Sequence, residues 1–133
     1  EDYVLGALGW ASTKNLPILF VVEDNNLSIL TEKKMRRNWE MDDVAKAFKM
    51  KAHNIGDDPS EIEEVLTNYN FENPMLLNIN TIRKYWHSGA GEDGDYFDRY
   101  EDQKRILGSE AEVIDKENIN LTKKLWQQQL EIR

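Results

Sequence analysis

The run Leu16-Pro17-Ile18-Leu19-Phe20-Val21-Val22, closed by Glu23-Asp24-Asn25-Asn26, constrains this chain more than any other stretch. Ile18 to Val22 contains no polar residue. A strand tolerates that when both of its faces are covered, as in the middle of a parallel sheet flanked by helices. Ligands of such sheets bind just beyond the carboxyl ends of the strands. The pattern therefore predicts a central strand over 18–22 and a candidate site over 23–26.

The remaining elements repeat the same alternation. Val4, Ala7, Leu8 and Ala11 form a helical stripe ahead of the strand, in which Gly6 and Gly9 would permit close approach to a sheet. Residues 31–39 carry Lys33, Lys34, Arg36 and Arg37 without a steady period and read as a solvated loop. A second stripe, Met41, Val44, Ala45 and Phe48, precedes a short strand over 52–55. Pro59-Ser60 opens a third helix with a capping box, Ser60 and Glu63, and with Ile62, Val65, Leu66 and Tyr69 on its buried face. Pro74 introduces a strand over 75–79. Helix and strand in strict alternation imply an α/β domain with a parallel sheet. Residues 84–95 read as a loop, Tyr96 to Leu107 as a helix, and Asp115 as the cap of a last helix with Ile119, Thr122, Trp126 and Leu130 along one side.

Composition removes several function classes. With 25 acidic against 17 basic residues the net charge is -8, which argues against binding nucleic acid through its phosphates. The chain has no cysteine, so disulfides, thiolate metal sites and cysteine nucleophiles are excluded. The run from Leu16 to Val22 falls far short of the roughly 20 apolar residues of a membrane helix. The opening at Glu1, without methionine and directly in helix-patterned residues, reads as a trimmed or fragmentary product.

Two places carry candidate chemistry. A parallel sheet puts Asn25, after one strand, and His87, in the loop after another, at one sheet edge. An asparagine amide oxygen and turn carbonyls are neutral hard ligands suited to magnesium, which shares its shell with substrate phosphates. On spacing alone, however, residues 23–26 are better read as an ordinary polar turn. Histidine as a residue type can hold a phosphate oxygen or shuttle a proton near neutral pH, although a lone loop histidine such as His87 more often does neither. Gly89-Ala90-Gly91-Glu92-Asp93-Gly94 fits G-x-G-x-x-G in letters only. No strand leads into it and its acids would repel a pyrophosphate.

Taken together, residues 16–29 and Arg83-Lys84-Tyr85-Trp86-His87-Ser88 resemble a family. The first is similar to the second half of the thiamine-diphosphate motif in alpha subunits of 2-oxoacid dehydrogenases, where an apolar strand after Leu-Pro ends in Glu-Asn-Asn. The second is similar to that family's Tyr-Arg-x-x-x-His-Ser loop. The likeness extends through Arg99-Tyr100 and the two tail helices, over nearly the whole chain. It implies a doubly wound parallel-sheet cofactor domain whose carboxyl-terminal part is residues 1–95, followed by a helical tail over 96–133.

By that resemblance Asn25 would bind magnesium through its side chain and Leu27 through its carbonyl. Ile29 would pack near the aminopyrimidine of thiamine diphosphate, and His87 would reach the diphosphate and the reacting centre, with Arg83 beside it. Ser88 aligns with a serine at which mitochondrial members are regulated by phosphorylation. The parent enzyme would decarboxylate a 2-oxo acid and pass the acyl group to a lipoyl carrier, working with a beta subunit and a lipoyl acyltransferase in the cytoplasm or the mitochondrial matrix. Two departures stand out. Asp24 replaces the usual asparagine and would add charge beside the metal, and Trp86 is bulky for its position. The family's Gly-Asp-Gly element, with the charged metal ligand, would fall about 30 residues before Asn25 and so ahead of Glu1. The chain alone is therefore expected to bind magnesium and the cofactor weakly or not at all. It is also expected to leave an apolar sheet edge that favours self-association. The alternative is a non-catalytic interaction domain that kept the fold and lost the chemistry.

Overall fold

The alternating stripes and apolar runs become a parallel sheet with helices, seen in a computed structural model that describes residues 2–85, 87 and 97–132. Trp86, Ser88, the glycine-rich stretch 89–94 and Tyr96 lie outside the described residues. The chain divides into two compact units, Glu1–Tyr96 and Phe97–Arg133.

In the first unit, α1 (Asp2–Lys14) leads to β1 (Leu19–Asp24). A small hairpin follows, β2 (Leu27–Ser28) and β3 (Thr31–Glu32), then a 3₁₀ turn over Lys33–Met35. Next come α2 (Met41–Ala47), β4 (Lys51–Gly56), α3 (Pro59–Thr67) and β5 (Met75–Asn80). The sheet order is β1-β5-β4, all parallel. The predicted α/β architecture is present, but the order corrects one expectation. β5 is the central strand, buried from Met75 to Ile79, while β1 pairs with β5 on one side only among the described residues. Phe20 and Val22 pack against a core of Leu8, Ala11, Met41, Ala45, Met50 and Leu76. On the opposite face of β1, Val21 is 54% exposed. The apolar run is real, but only one of its faces is covered.

Other expectations are also corrected. The segment 31–39 begins as a hairpin arm and a 3₁₀ turn over 31–35, and Lys33, Arg37 and Trp39 within it are half-buried. The cap of α3 is Asp58, whose Oδ1 accepts the Ser60 N–H at 3.0 Å, and Pro59 occupies the first turn. This cap lies two positions before the Ser60 expected from the capping box, and a proline at the first helical position is the better marker of the start. Gly9 lies 3.5 Å, measured from an added Cβ, from the Phe48 ring rather than against the sheet, and around Gly6 the space is open.

In the second unit, α4 (Arg99–Leu107) is capped by Asp98, whose Oδ1 accepts the Glu101 N–H. Gly108 turns the chain at φ +60 into α5 (Ser109–Glu131). Asp115 therefore sits inside α5 and accepts the Tyr100 hydroxyl instead of capping a helix. No helix among the described residues is long and apolar enough to cross a membrane.

Candidate functional site at the carboxyl end of β1

Parallel pairing brings the ends of β1 and β5 to one level. Asp24 is in register with Asn80, and the Thr81 N–H continues the ladder onto the Asp24 carbonyl at 2.9 Å. The segments leaving the two strands, 25–29 and 81–83, therefore start side by side.

The turn after β1 is built by its own side chains. Asp24 Oδ1 accepts the Asn26 N–H and Asn25 Oδ1 accepts the Leu27 N–H, each at 2.9 Å. These are two overlapping turns in which a short polar side chain replaces a backbone acceptor. Asn26 takes a left-handed conformation, φ +62, which asparagine tolerates. The hairpin then sets the direction of Leu27. Lys33 N–H donates to the Asn26 carbonyl and Ser28 pairs with Thr31. Hydrogen-bonded positions alternate along an antiparallel ladder, so Leu27, between those two, turns its N–H and carbonyl away from Glu32. Its N–H already meets Asn25, and its carbonyl points outward with it.

Ile29 turns the hairpin at φ +57, a strained conformation for a β-branched residue that costs about 1–3 kcal/mol. Arg83 Nη1 donates to the Ile29 carbonyl at 2.6 Å, tying the segment after β5 onto the hairpin after β1. The structure thus joins Asn25 to Leu27 and Ile29 to Arg83. Ile29 itself is 58% exposed. His87 is exposed, and no hydrogen bond or ion pair among the described residues links it to the other four.

Asp24 departs most from expectation. Its side chain is only 8% exposed, and Oδ2 accepts from Lys33 Nζ at 2.7 Å and Arg37 Nη2 at 3.4 Å. Lys33 also reaches Glu40 at 2.7 Å, and Arg37 lies over the Trp39 ring at 4.6 Å. Burial pushes the Asp24 carboxyl up, but the Lys33 hydrogen bond, the Asn26 N–H and the charges of Lys33 and Arg37 outweigh it and hold the pKa below the usual value. Burial also pulls Lys33 down, and its bonds to Asp24 and Glu40 leave it above the usual lysine value. The negative charge at position 24 is thus matched by Lys33 and Arg37.

Between these parts lies a groove of about 730 Å³, within the size range of small-molecule sites. Phe20, Val22, Met41 and Leu76 give it apolar side chains, and Glu23, Asp24, Asn25, Ser28, Arg36 and Arg37 polar and charged ones. The donor set decides what the groove can hold. Asn25 Oδ1 and the Leu27 carbonyl are neutral oxygens, the first already shared with an N–H, and of the two acids along the groove, Glu23 and Asp24, the second is held by Lys33 and Arg37. Among the described residues no group of three or more His, Cys, Asp or Glu could hold a metal ion. These residues alone do not fit a strongly hydrated divalent cation.

A second polar cluster escaped the sequence reading. Asn54, Asn78 and Asn80 converge where β4 meets β5. Asn78 and Asn80 donate to Asn54 Oδ1 at 3.1 and 2.6 Å. Asn54 approaches the buried Asp42, which Lys46 caps at 2.6 Å. Asn78, 1% exposed, leaves its own Oδ1 without a partner among the described residues. The available signal was two asparagines in the otherwise apolar β5 and a third in β4. In comparisons with family models, with curated proteins and with solved structures, nothing matches the chain.

Proposed function

We propose that the chain is the carboxyl-terminal part of the alpha subunit of a thiamine-diphosphate-dependent 2-oxoacid dehydrogenase, holding half of a magnesium-diphosphate site. The observation that carries this reading is the turn Asn25–Leu27 at the carboxyl end of a parallel strand. There, a side-chain amide fixes an outward-facing carbonyl above an apolar groove. Asn25 and Leu27 supply the neutral oxygens. Ile29 and Arg83 brace the hairpin that presents them, and His87 follows Arg83 in the segment after β5. When bound, the cofactor would supply the chemistry for decarboxylating a 2-oxo acid. The work of this chain would be to position it, with a beta subunit and a lipoyl acyltransferase as partners.

The neutralised Asp24 favours one further reading, a domain that kept this architecture as an interaction module and dispensed with the metal. Titration calorimetry separates the two. The 133-residue chain is expected to show only weak magnesium-dependent binding of thiamine diphosphate. A chain extended by a segment bearing the Gly-Asp-Gly carboxylate should bind it at least tenfold more tightly, and Asn25→Ala should remove that gain. Equal binding with and without the carboxylate, or no binding by the extended chain, would overturn the enzyme reading.

A further inference from the structure

α5 buries only Ala111 among its residues, yet it carries a long apolar stripe. Ile114, Leu121, Leu125 and, at the carboxyl cap, Ile132 are spaced seven, four and seven apart and are 37–77% exposed. Asn118 and Gln128 occupy the two remaining positions of the same face, so that 114, 118, 121, 125, 128 and 132 form an alternating three–four run. That is the seam of a two-helix coiled coil with an amide in two of its places.

The amides identify the occupant. A smooth apolar partner would bury Asn118 and Gln128 without hydrogen bonds, an unfavourable arrangement. In an antiparallel second copy with Leu121 against Leu125, the same alignment sets Ile114 against Ile132 and Asn118 against Gln128. Apolar meets apolar and amide meets amide at every layer. A parallel pair also matches each residue to itself, but it brings together the two amino-terminal halves, each with Glu110, Glu112, Asp115 and Glu117 against one lysine. The antiparallel pair sets each acidic half against the half that carries Lys123 and Lys124. We propose that α5 is a homodimerisation helix that pairs antiparallel with a second copy of this chain through Ile114, Asn118, Leu121, Leu125, Gln128 and Ile132. This inference does not depend on the enzymatic reading.

The absence of native cysteine makes the test direct. Full-length Ile114→Cys and Ile132→Cys chains are treated with a short thiol-reactive crosslinker, separately and mixed. Positions 114 and 132 lie about 27 Å apart along the helix. In the antiparallel pair each variant alone should therefore give little dimer and the mixture a strong crosslinked band. Adding Leu121→Asp and Leu125→Asp should lower that band at least tenfold, with helix content by circular dichroism unchanged. Trp126→Ala, roughly 120° around the helix, should leave it intact. Crosslinking of Ile114→Cys with itself as strong as in the mixture, no crosslink in the mixture, or a crosslink that survives the aspartates or is lost with Trp126→Ala would each overturn the proposal.

Discussion

Asp24 shows how one side chain can change the meaning of a motif. As a letter beside Asn25 it adds charge to a presumed metal site, while in the fold it is the anchor of Lys33 and Arg37. Those partners lie nine and thirteen residues further on, and only the hairpin between them brings them back. Removing one member of a buried ion pair leaves the others uncompensated, so Asp24→Asn should destabilise the chain by about 3 kcal/mol at pH 7. The pH dependence follows from the direction of the shift. The folded carboxyl has a lowered pKa, so its contribution is present in full above the unfolded value near 3.8 and is lost as pH falls through the folded value. Urea unfolding of both proteins at pH 7 and again below pH 4 should show the difference narrowing in acid. A difference that is constant or that widens in acid would refute the assignment.

At the level of elements, the sequence was legible where interactions are local. The strand after Pro17, the strand after Pro74, the stripe of α2 and the turn at Asn25 depend on neighbours within a few residues, and all are present. Strand order was not legible. Leu19–Asp24 and Met75–Asn80 are both largely apolar, and no local pattern states which will have a neighbour on each side. The long helix α5 was misplaced because Asp115 resembles a cap, whereas its carboxylate serves the Tyr100 hydroxyl. The edge position of β1 has a direct consequence. A strand with one open side and an exposed valine is a template for pairing with another chain, and a lysine on such an edge blocks it. Val21→Lys should leave the secondary structure unchanged by circular dichroism and reduce higher-order association in sedimentation velocity. Association that is undiminished in that variant would place the sticky surface elsewhere than β1.

For the molecule as a whole, exposed apolar surface competes with charge. Val21 on the open edge and the α5 stripe favour association, whereas a net charge of -8 with an isoelectric point near 4.8 opposes the approach of two copies at neutral pH. Matching acidic and lysine-bearing halves of α5 lessens that repulsion without cancelling it, because most of the acids lie outside the helix. Charges separated by more than the Debye length of about 10 Å in 0.1 M salt are screened, while burial of apolar surface is not weakened by that screening. Association should therefore increase as sodium chloride is raised from low to near-molar concentration at pH 7, and increase again as pH approaches the isoelectric point. Light scattering coupled to gel filtration reads both as a rise in mean mass at fixed protein concentration. Dissociation by salt would mean that ion pairs hold the copies together, and the apolar edge and stripe would then not be the surfaces that join them.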